Sequence, residues 1–446
     1  MAVLRTFLDE CPGPTVVRGE GCYLWTKDGR RLFDTTGGLT SHCILGWSHP
    51  PIVSAVEQQL RRISHIDYKG FVDENREELS DLLLSKSENG LNRVYFSGNS
   101  GGEACEAAMK LSFQSHYDSG DQGRHWFISR KQSYHGSSTD ALSLGDRPNL
   151  DFFAPLLPTN RFKIAEHNVY RESHQGETPD EYAKRSAGEL EEAIVRIGPE
   201  KVCAFVAETI GGGLVGYVPP AGKYWKYVRD ICTQYGVHLI LDEVICGTGT
   251  TGKVYCCDWD GITPDFLFLG KTLASGYSPL SIVLTTAEVE RAIASGQGRI
   301  QHSTTHQGHT LGVAAALAVQ KIIHSDGFLA EVNATGKFIV SEIQRELAEH
   351  EFFRNIRGRG MRLAVEYSCD QMNQFGRCLT NALESRHGIL IDGKWHRITL
   401  SPMLNTPHNL IEEFVDKFCR EFKRVAASWS TTCRSLDEDT SDPQRR

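Results

Sequence analysis

The stretch Val237-His238-Leu239-Ile240-Leu241-Asp242-Glu243-Val244 decides the fold. A short apolar run leads straight into two carboxylates. Such a run fits a strand covered on both faces, as in a parallel sheet. A second run, Phe266-Leu267-Phe268-Leu269, repeats the pattern and is followed by Gly270-Lys271, 29 positions beyond Asp242. Two buried-type strands thus deliver an acid and an amine at or just past their C-terminal ends. Open α/β sheets bind ligands at that edge.

Further strand-like runs occur at Arg93–Phe96, His125–Ser129, Val202–Glu208 and Leu280–Leu284. Helical patterns lie at Glu103–His116, Leu190–Ile197 and Tyr224–Tyr235, and the Ala- and Leu-rich Thr310–His324 reads as a helix with a wide buried face. The alternation predicts an α/β fold with a mostly parallel sheet flanked by helices. Cys22-Tyr23-Leu24-Trp25 and Lys27-Asp28-Gly29-Arg30-Arg31-Leu32 predict a hairpin turning on Asp-Gly. We expect residues 1–50 to form the N-terminal part of a smaller α+β domain, 51–325 a large domain, and 326–427 the rest of the smaller one. The polar residues 428–446 are expected to be a disordered tail.

A chain of 446 residues exceeds one ordinary domain, and 40% hydrophobic with 23% charged residues fits a soluble globular protein. Its net charge of −8, with both signs mixed along the chain, argues against a nucleic-acid partner. No run approaches the roughly 20 apolar residues of a membrane span. The start, Met1-Ala2-Val3-Leu4-Arg5, has no signal-peptide core. The 13 cysteines have no regular spacing and form no C-x-x-C pair. Reduced thiols and a cytoplasmic location are the expectation.

A lysine amine can form a Schiff base with the aldehyde of pyridoxal 5'-phosphate, while a carboxylate keeps the pyridine nitrogen protonated. Lys271 and Asp242 could be that pair, although strand ends carry such residues for plain structural reasons too. Ser97-Gly98-Asn99-Ser100-Gly101-Gly102-Glu103-Ala104 lies between a strand and a helix. Small residues there let backbone N–H groups meet an anion at the helix N-terminus, and a plain tight turn is the alternative. In Ser133-Tyr134-His135-Gly136 an aromatic ring could stack on a planar cofactor, or simply pack. Glu208 ends its own buried strand and falls on the same edge.

Two other patterns are decoys. Gly247-Thr248-Gly249-Thr250-Thr251-Gly252-Lys253-Val254 nearly fits a nucleotide-phosphate loop, but Val254 lacks the magnesium-binding hydroxyl. His302, His306 and His309 lie in a Ser-, Thr- and Gln-rich stretch without a carboxylate or cysteine at ligand spacing, so no metal is expected.

In order, Gly101-Gly102-Glu103-Ala104, Tyr134-His135-Gly136, Glu208, Asp242-Glu243-Val244, Lys271 and Thr305 resemble the class III (ω-amino-acid type) aminotransferases, from about residue 18 to 425. Gly247-x-Gly249-x-Thr251-Gly252 and Thr305-His306-Gln307-Gly308-His309-Thr310 are also similar to family segments. Arg130-Lys131-Gln132-Ser133-Tyr134-His135-Gly136 is similar to fungal members, often found in secondary metabolism. The resemblance implies fold type I, pyridoxal phosphate, and transfer of an amino group from an amine or amino acid donor to an oxo acceptor. It implies a homodimer with active sites at the subunit interface.

Position by position, the resemblance implies that Lys271 forms the Schiff base and shuttles the proton, and that Asp242 pairs with the pyridinium nitrogen. Val244 and Tyr134 would pack on opposite ring faces, with His135 also at the cofactor. Gly101 and Gly102 would bind phosphate through their backbone, Glu208 would lie near the ring hydroxyl, and Thr305 would reach the neighbouring subunit's phosphate. Racemisation or decarboxylation on the same scaffold, or a scaffold protein without turnover, remain alternatives.

The chain departs from the family pattern. Gly102 replaces a serine, Thr209 follows Glu208 where proline is usual, and Thr250 stands where many members have arginine. Thr399 occupies the position of the arginine that clamps a substrate carboxylate in members acting on ornithine or γ-aminobutyrate. Arg397, of the same strand parity, or Lys394 could substitute.

Overall fold

The computed structural model describes residues 13–85, 89–148 and 150–437. Its centre is a seven-stranded sheet in the order Arg93–Gly98, Ser281–Thr285, Phe266–Leu269, His238–Asp242, Val202–Glu208, Trp126–Arg130 and Arg161–Ile164. Ser281–Thr285 runs antiparallel to both its neighbours, and the other pairings are parallel. All seven residues of Val202–Glu208 are buried, as expected of a strand covered on both faces. The α/β class and all six anticipated strands therefore hold, with ends shifted by one or two residues. The seventh strand, Arg-Phe-Lys-Ile at 161–164, sits on the edge, and its interrupted apolar pattern gives little signal.

Gly101–Asp118 is the helix after the glycine turn, capped reciprocally by Ser100 and Glu103. The helix ending at Ile197 starts at Pro179, eleven residues before the expected Leu190. Thr178 and Glu181 form a capping box and Pro179 takes the first turn, so its start signals were present in the sequence. Tyr224–Tyr235 stands as expected and stops at Gly236, whose φ of 63° suits only a residue free of a Cβ penalty.

Two smaller sheets flank the core. One contains Val16–Glu20, Tyr23–Thr26, Arg31–Asp34 and Ile389–Leu390, and the other Phe353–Arg359, Arg362–Tyr367, Arg397–Leu400 and Asp392–Lys394. The expected hairpin pairs Trp25 with Arg31 and turns at Gly29. Ile389–Leu390 runs parallel to Arg31–Asp34, so the two ends of the chain meet in one sheet. We propose these sheets as the framework of the smaller domain drawn from both termini.

One expectation is corrected. The last helix spans His408–Asp437, well past Ser428. Phe418, Phe422, Val425 and Trp429 continue one apolar stripe at helical spacing, and the Trp429 indole donates to the Asp370 carbonyl at 3.0 Å. Of the expected tail, residues 438–446 lie outside the described residues, as does the N-terminus through residue 12. Among the described residues no helix is long and apolar enough to cross a membrane.

Candidate active site

Strand register places the central acids. Glu208 is the direct partner of Asp242, and Asp242 of Phe268, so all three strands end at one level of the sheet. Lys271 follows at the start of the short turn Lys271–Ala274. Its φ of 24° is unusual for a residue with a side chain. A Cβ on Gly270 would lie 3.1 Å from the Gly101 nitrogen, so glycine lets the lysine turn approach the helix N-terminus. Burial lowers the Lys271 amine below its ordinary value, against the opposing pull of Asp242, with Arg362 lowering it further. A lowered value keeps more of the amine neutral and nucleophilic.

Asp242 is buried and doubly held: Oδ1 accepts the Val244 N–H at 3.0 Å, and Oδ2 lies 2.8 Å from His135 Nδ1. His135 Nε2 is buried and has no hydrogen-bond partner among the described residues. Glu208 is raised to about 7, chiefly by burial and despite His135. Arg130 fixes this strand end by donating to the Glu208 carbonyl.

At the glycine turn, Glu103 accepts the N–H groups of Asn99 and Ser100 at 2.8 and 2.9 Å, and Ser100 Oγ accepts that of Glu103 at 3.3 Å. Gly101 and Gly102 keep their N–H groups at the open helix end, where an anion would sit. A Cβ on Gly101 would come within 2.8 Å of Val244 Cγ2. A Cβ on Gly136, where φ is 148°, would come within 2.7 Å of Gly102 Cα. Three glycines thus keep the floor of the cradle clear.

These residues line one cavity of about 530 Å³, together with Tyr134, Val244, His42 and Tyr217. His42, Tyr217 and Glu243 had not been singled out as site residues in the sequence. Glu243 is fully buried and accepts from Cys256 N, Cys257 N and Thr209 Oγ1 at 2.7, 2.8 and 2.9 Å, tying the loop after Asp242 to the sheet. Its position beside Asp242 was the available signal. His42 and Tyr217 arrive on loops, and nothing local marks them.

Thr305 lies apart from its own chain's cavity and is exposed; its carbonyl lies 3.1 Å from His65 Nε2. Arg397, considered for substrate binding, is buried and is not among the residues lining the cavity. Its Nε donates to the Gly213 carbonyl at 2.6 Å, and its Nη1 has no hydrogen-bond partner among the described residues. Lys394 is largely exposed and pairs with Asp392 at 3.3 Å. The nucleotide-loop decoy is a set of buried turns followed by Cys256–Trp259, not a long helix. His306 and His309 sit against His65, which stacks on His309 at 4.7 Å.

The donor set fits pyridoxal phosphate: an amine of lowered basicity, a carboxylate held by a histidine, and a helix N-terminus whose glycines leave no Cβ in the way. The class-III aminotransferase family matches residues 10–422, and the chain belongs to it. An uncharacterized aminotransferase of Schizosaccharomyces pombe is 34% identical over 93% of this chain and 94% of its own length. The diaminobutyrate–2-oxoglutarate transaminase of Halomonas elongata is 35% identical over 82% of this chain and 79% of its own. Among solved structures, the ω-transaminase of Pseudomonas jessenii in complex with PMP superposes with a TM-score of 0.88 at 28% identity, covering 93% of each chain. The fold is that of the fold type I enzymes, the cofactor is pyridoxal phosphate, and the activity is amino-group transfer.

Proposed function

We propose that Lys271 and Asp242 are the catalytic residues of this aminotransferase. The carrying observation is the shared sheet edge: Glu208 and Asp242 pair in register, and Lys271 opens onto the same cavity. Bound pyridoxal phosphate supplies an electron-accepting ring that spreads the charge developing on the substrate carbon. Asp242 would hold the proton on the ring nitrogen, and His135 fixes the carboxylate's orientation. Lys271 would anchor the cofactor through Nζ. Once freed by the donor amine, Nζ would take the proton from the amine-bearing carbon and return it to the cofactor, which would carry the amino group; the second half-reaction would run the same transfer backwards on the oxo acceptor. A positioned base of this kind contributes roughly 10²–10⁴-fold.

Gly101 and Gly102 would hold the phosphate through their N–H groups at the helix N-terminus. Val244 and Tyr134 would pack on the ring. Glu208, poised near neutrality by burial, would hold or release a proton near the ring hydroxyl. The exposed Thr305 supports a homodimer in which each subunit completes its neighbour's phosphate site. Small-molecule amines and oxo compounds are the substrates. Buried thiols such as Cys203, Cys232 and Cys257 support a reducing, cytoplasmic setting.

The test is the visible spectrum of the purified protein before and after borohydride, with peptide mapping. A yellow band lost on reduction, with the label on Lys271, is the expected result. A colourless protein that takes up no added cofactor overturns the reading.

A further inference from the structure

The polar groups around the cavity are unevenly distributed. Lys271 is the only lysine or arginine among the described residues that line it, whereas Glu103, Glu208 and Asp242 all do. Arg397 does not line the cavity and its Nε donates to the Gly213 carbonyl, while Thr399 makes its hydrogen bonds to Asp392. Arg147 comes near, stacking on the Tyr134 ring at 5.3 Å from its centroid, but it does not line the cavity. Among the described residues, Lys271 is thus the one fixed cation that faces a bound donor.

His42 also lines the cavity. A Cβ on Gly38 would fall 2.3 Å from His42 Cε1, and one on Gly276 would fall 2.4 Å from Cδ2. The imidazole is thus slotted between two glycines, and only glycine at both positions leaves room for it. Thr40 Oγ1 holds Nδ1 at 2.8 Å. Among the described residues no hydrogen bond engages Nε2, and it is not a sealed buried atom. Tyr217 lines the same cavity, and its hydroxyl joins Ser41 and Ser401 at 3.3 and 3.2 Å, a cluster of neutral oxygens that can accept as well as donate. Burial holds the ring below its ordinary value, with Asp34 opposing and Lys271 adding to the effect, so the ring is neutral at neutral pH, and in the tautomer whose Nδ1 donates to Thr40 the Nε2 is an acceptor.

We propose that His42 is a specificity-determining residue. Its Nε2, with the Tyr217 hydroxyl, receives the far ammonium group of a diamine donor, and the cavity disfavours donors ending in a carboxylate. The inference rests on the aminotransferase reading above and deepens it. A carboxylate here would be desolvated without a counter-ion other than Lys271 from the described residues, whereas an ammonium finds neutral acceptors.

The experiment compares 1,4-diaminobutane, 4-aminobutyrate and butylamine in single-turnover donor half-reactions followed by the loss of the cofactor's visible band. For the wild type, kcat/KM for the diamine should exceed that for each of the other two by about tenfold or more. In His42→Leu the diamine-to-butylamine ratio should fall toward about one, and His42→Gln, which restores an acceptor, should recover part of it. Tyr217→Phe, which removes only a hydroxyl, should lower the same ratio. A wild-type preference for 4-aminobutyrate overturns the proposal, and so does a ratio unmoved by His42→Leu and Tyr217→Phe alike. Failure of all three amines to change the spectrum would instead remove the aminotransferase reading beneath it.

Discussion

His135 Nδ1 and Asp242 Oδ2 lie 2.8 Å apart, with both side chains buried. Opposite a carboxylate, that nitrogen must carry the proton and donate. The bond fixes the carboxylate's rotamer before the cofactor arrives and leaves Oδ1 to the Val244 N–H. His135→Ala would remove the donor and leave a buried acceptor unpaired, a loss of about 1–3 kcal/mol. Cofactor affinity, read by absorbance titration, should fall about tenfold or more. Affinity equal to the wild type would show that Asp242 needs no such support.

The glycine cradle makes a steric prediction. At Gly136 the added methyl group of Gly136→Ala would meet Gly102 Cα at 2.7 Å and Ala141 Cβ at 2.8 Å, and neither neighbour can swing aside. Its φ of 148° adds backbone strain of about 1–3 kcal/mol. The variant should melt lower and bind cofactor more weakly. Gly120→Ala is the strain control, with φ also positive at 96° but nothing within 4 Å of its Cβ. It should lose stability while keeping cofactor affinity. Equal cofactor affinity in the two variants would remove the cradle's role.

How much of this was legible follows from where each signal resides. Asp242 and Lys271 were visible because apolar runs continuous enough to be buried strands point directly at them. Gly101 and Gly102 were only half visible, because strand-to-helix turns rich in small residues are common and the family resemblance was needed to single this one out. The start at Pro179 was missed because the polar first half of that helix weakens the apolar period, although its capping box was in plain view. For Arg397, strand parity gives a face and says nothing about what lies across it; the hydrogen bond from its Nε to the Gly213 carbonyl depends on the tertiary path of a loop far away in sequence. His42 could not be found locally, since its slot is made by Gly38 and by Gly276, far away in sequence.

Glu243 yields a pH prediction. Burial raises its carboxyl from 4.5 to about 7, despite three donors that favour the ionised form. Because the folded value exceeds the unfolded one, the native state retains a proton that the unfolded chain releases between these values. The associated stability is complete below about 4.5 and is lost as pH rises through about 7, roughly 3 kcal/mol in all. Glu243→Gln cannot titrate. Its stability relative to the wild type should therefore rise as pH goes from 5 to about 7.5, whatever constant offset the lost acceptor imposes. Parallel stability curves from denaturant titrations at these pH values would contradict the raised value.

Lys271 and Thr305 can be tested together, because the dimer reading places them on opposite subunits of one site. Lys271→Ala should retain the fold but lose turnover by about 10⁴-fold. Thr305→Ala should retain Lys271 chemistry with weakened cofactor binding, by about tenfold for one lost phosphate hydrogen bond. In a mixed dimer of the two variants, the site that keeps Lys271 borrows its threonine from the Lys271→Ala subunit and is complete. Mixing two poor variants should therefore restore a set of high-affinity sites, seen as turnover at cofactor concentrations that leave Thr305→Ala alone nearly empty. If Thr305 served its own subunit, the mixture would show no gain over the average of its parents. A holoprotein that sediments as a fully active monomer would end the interface argument outright.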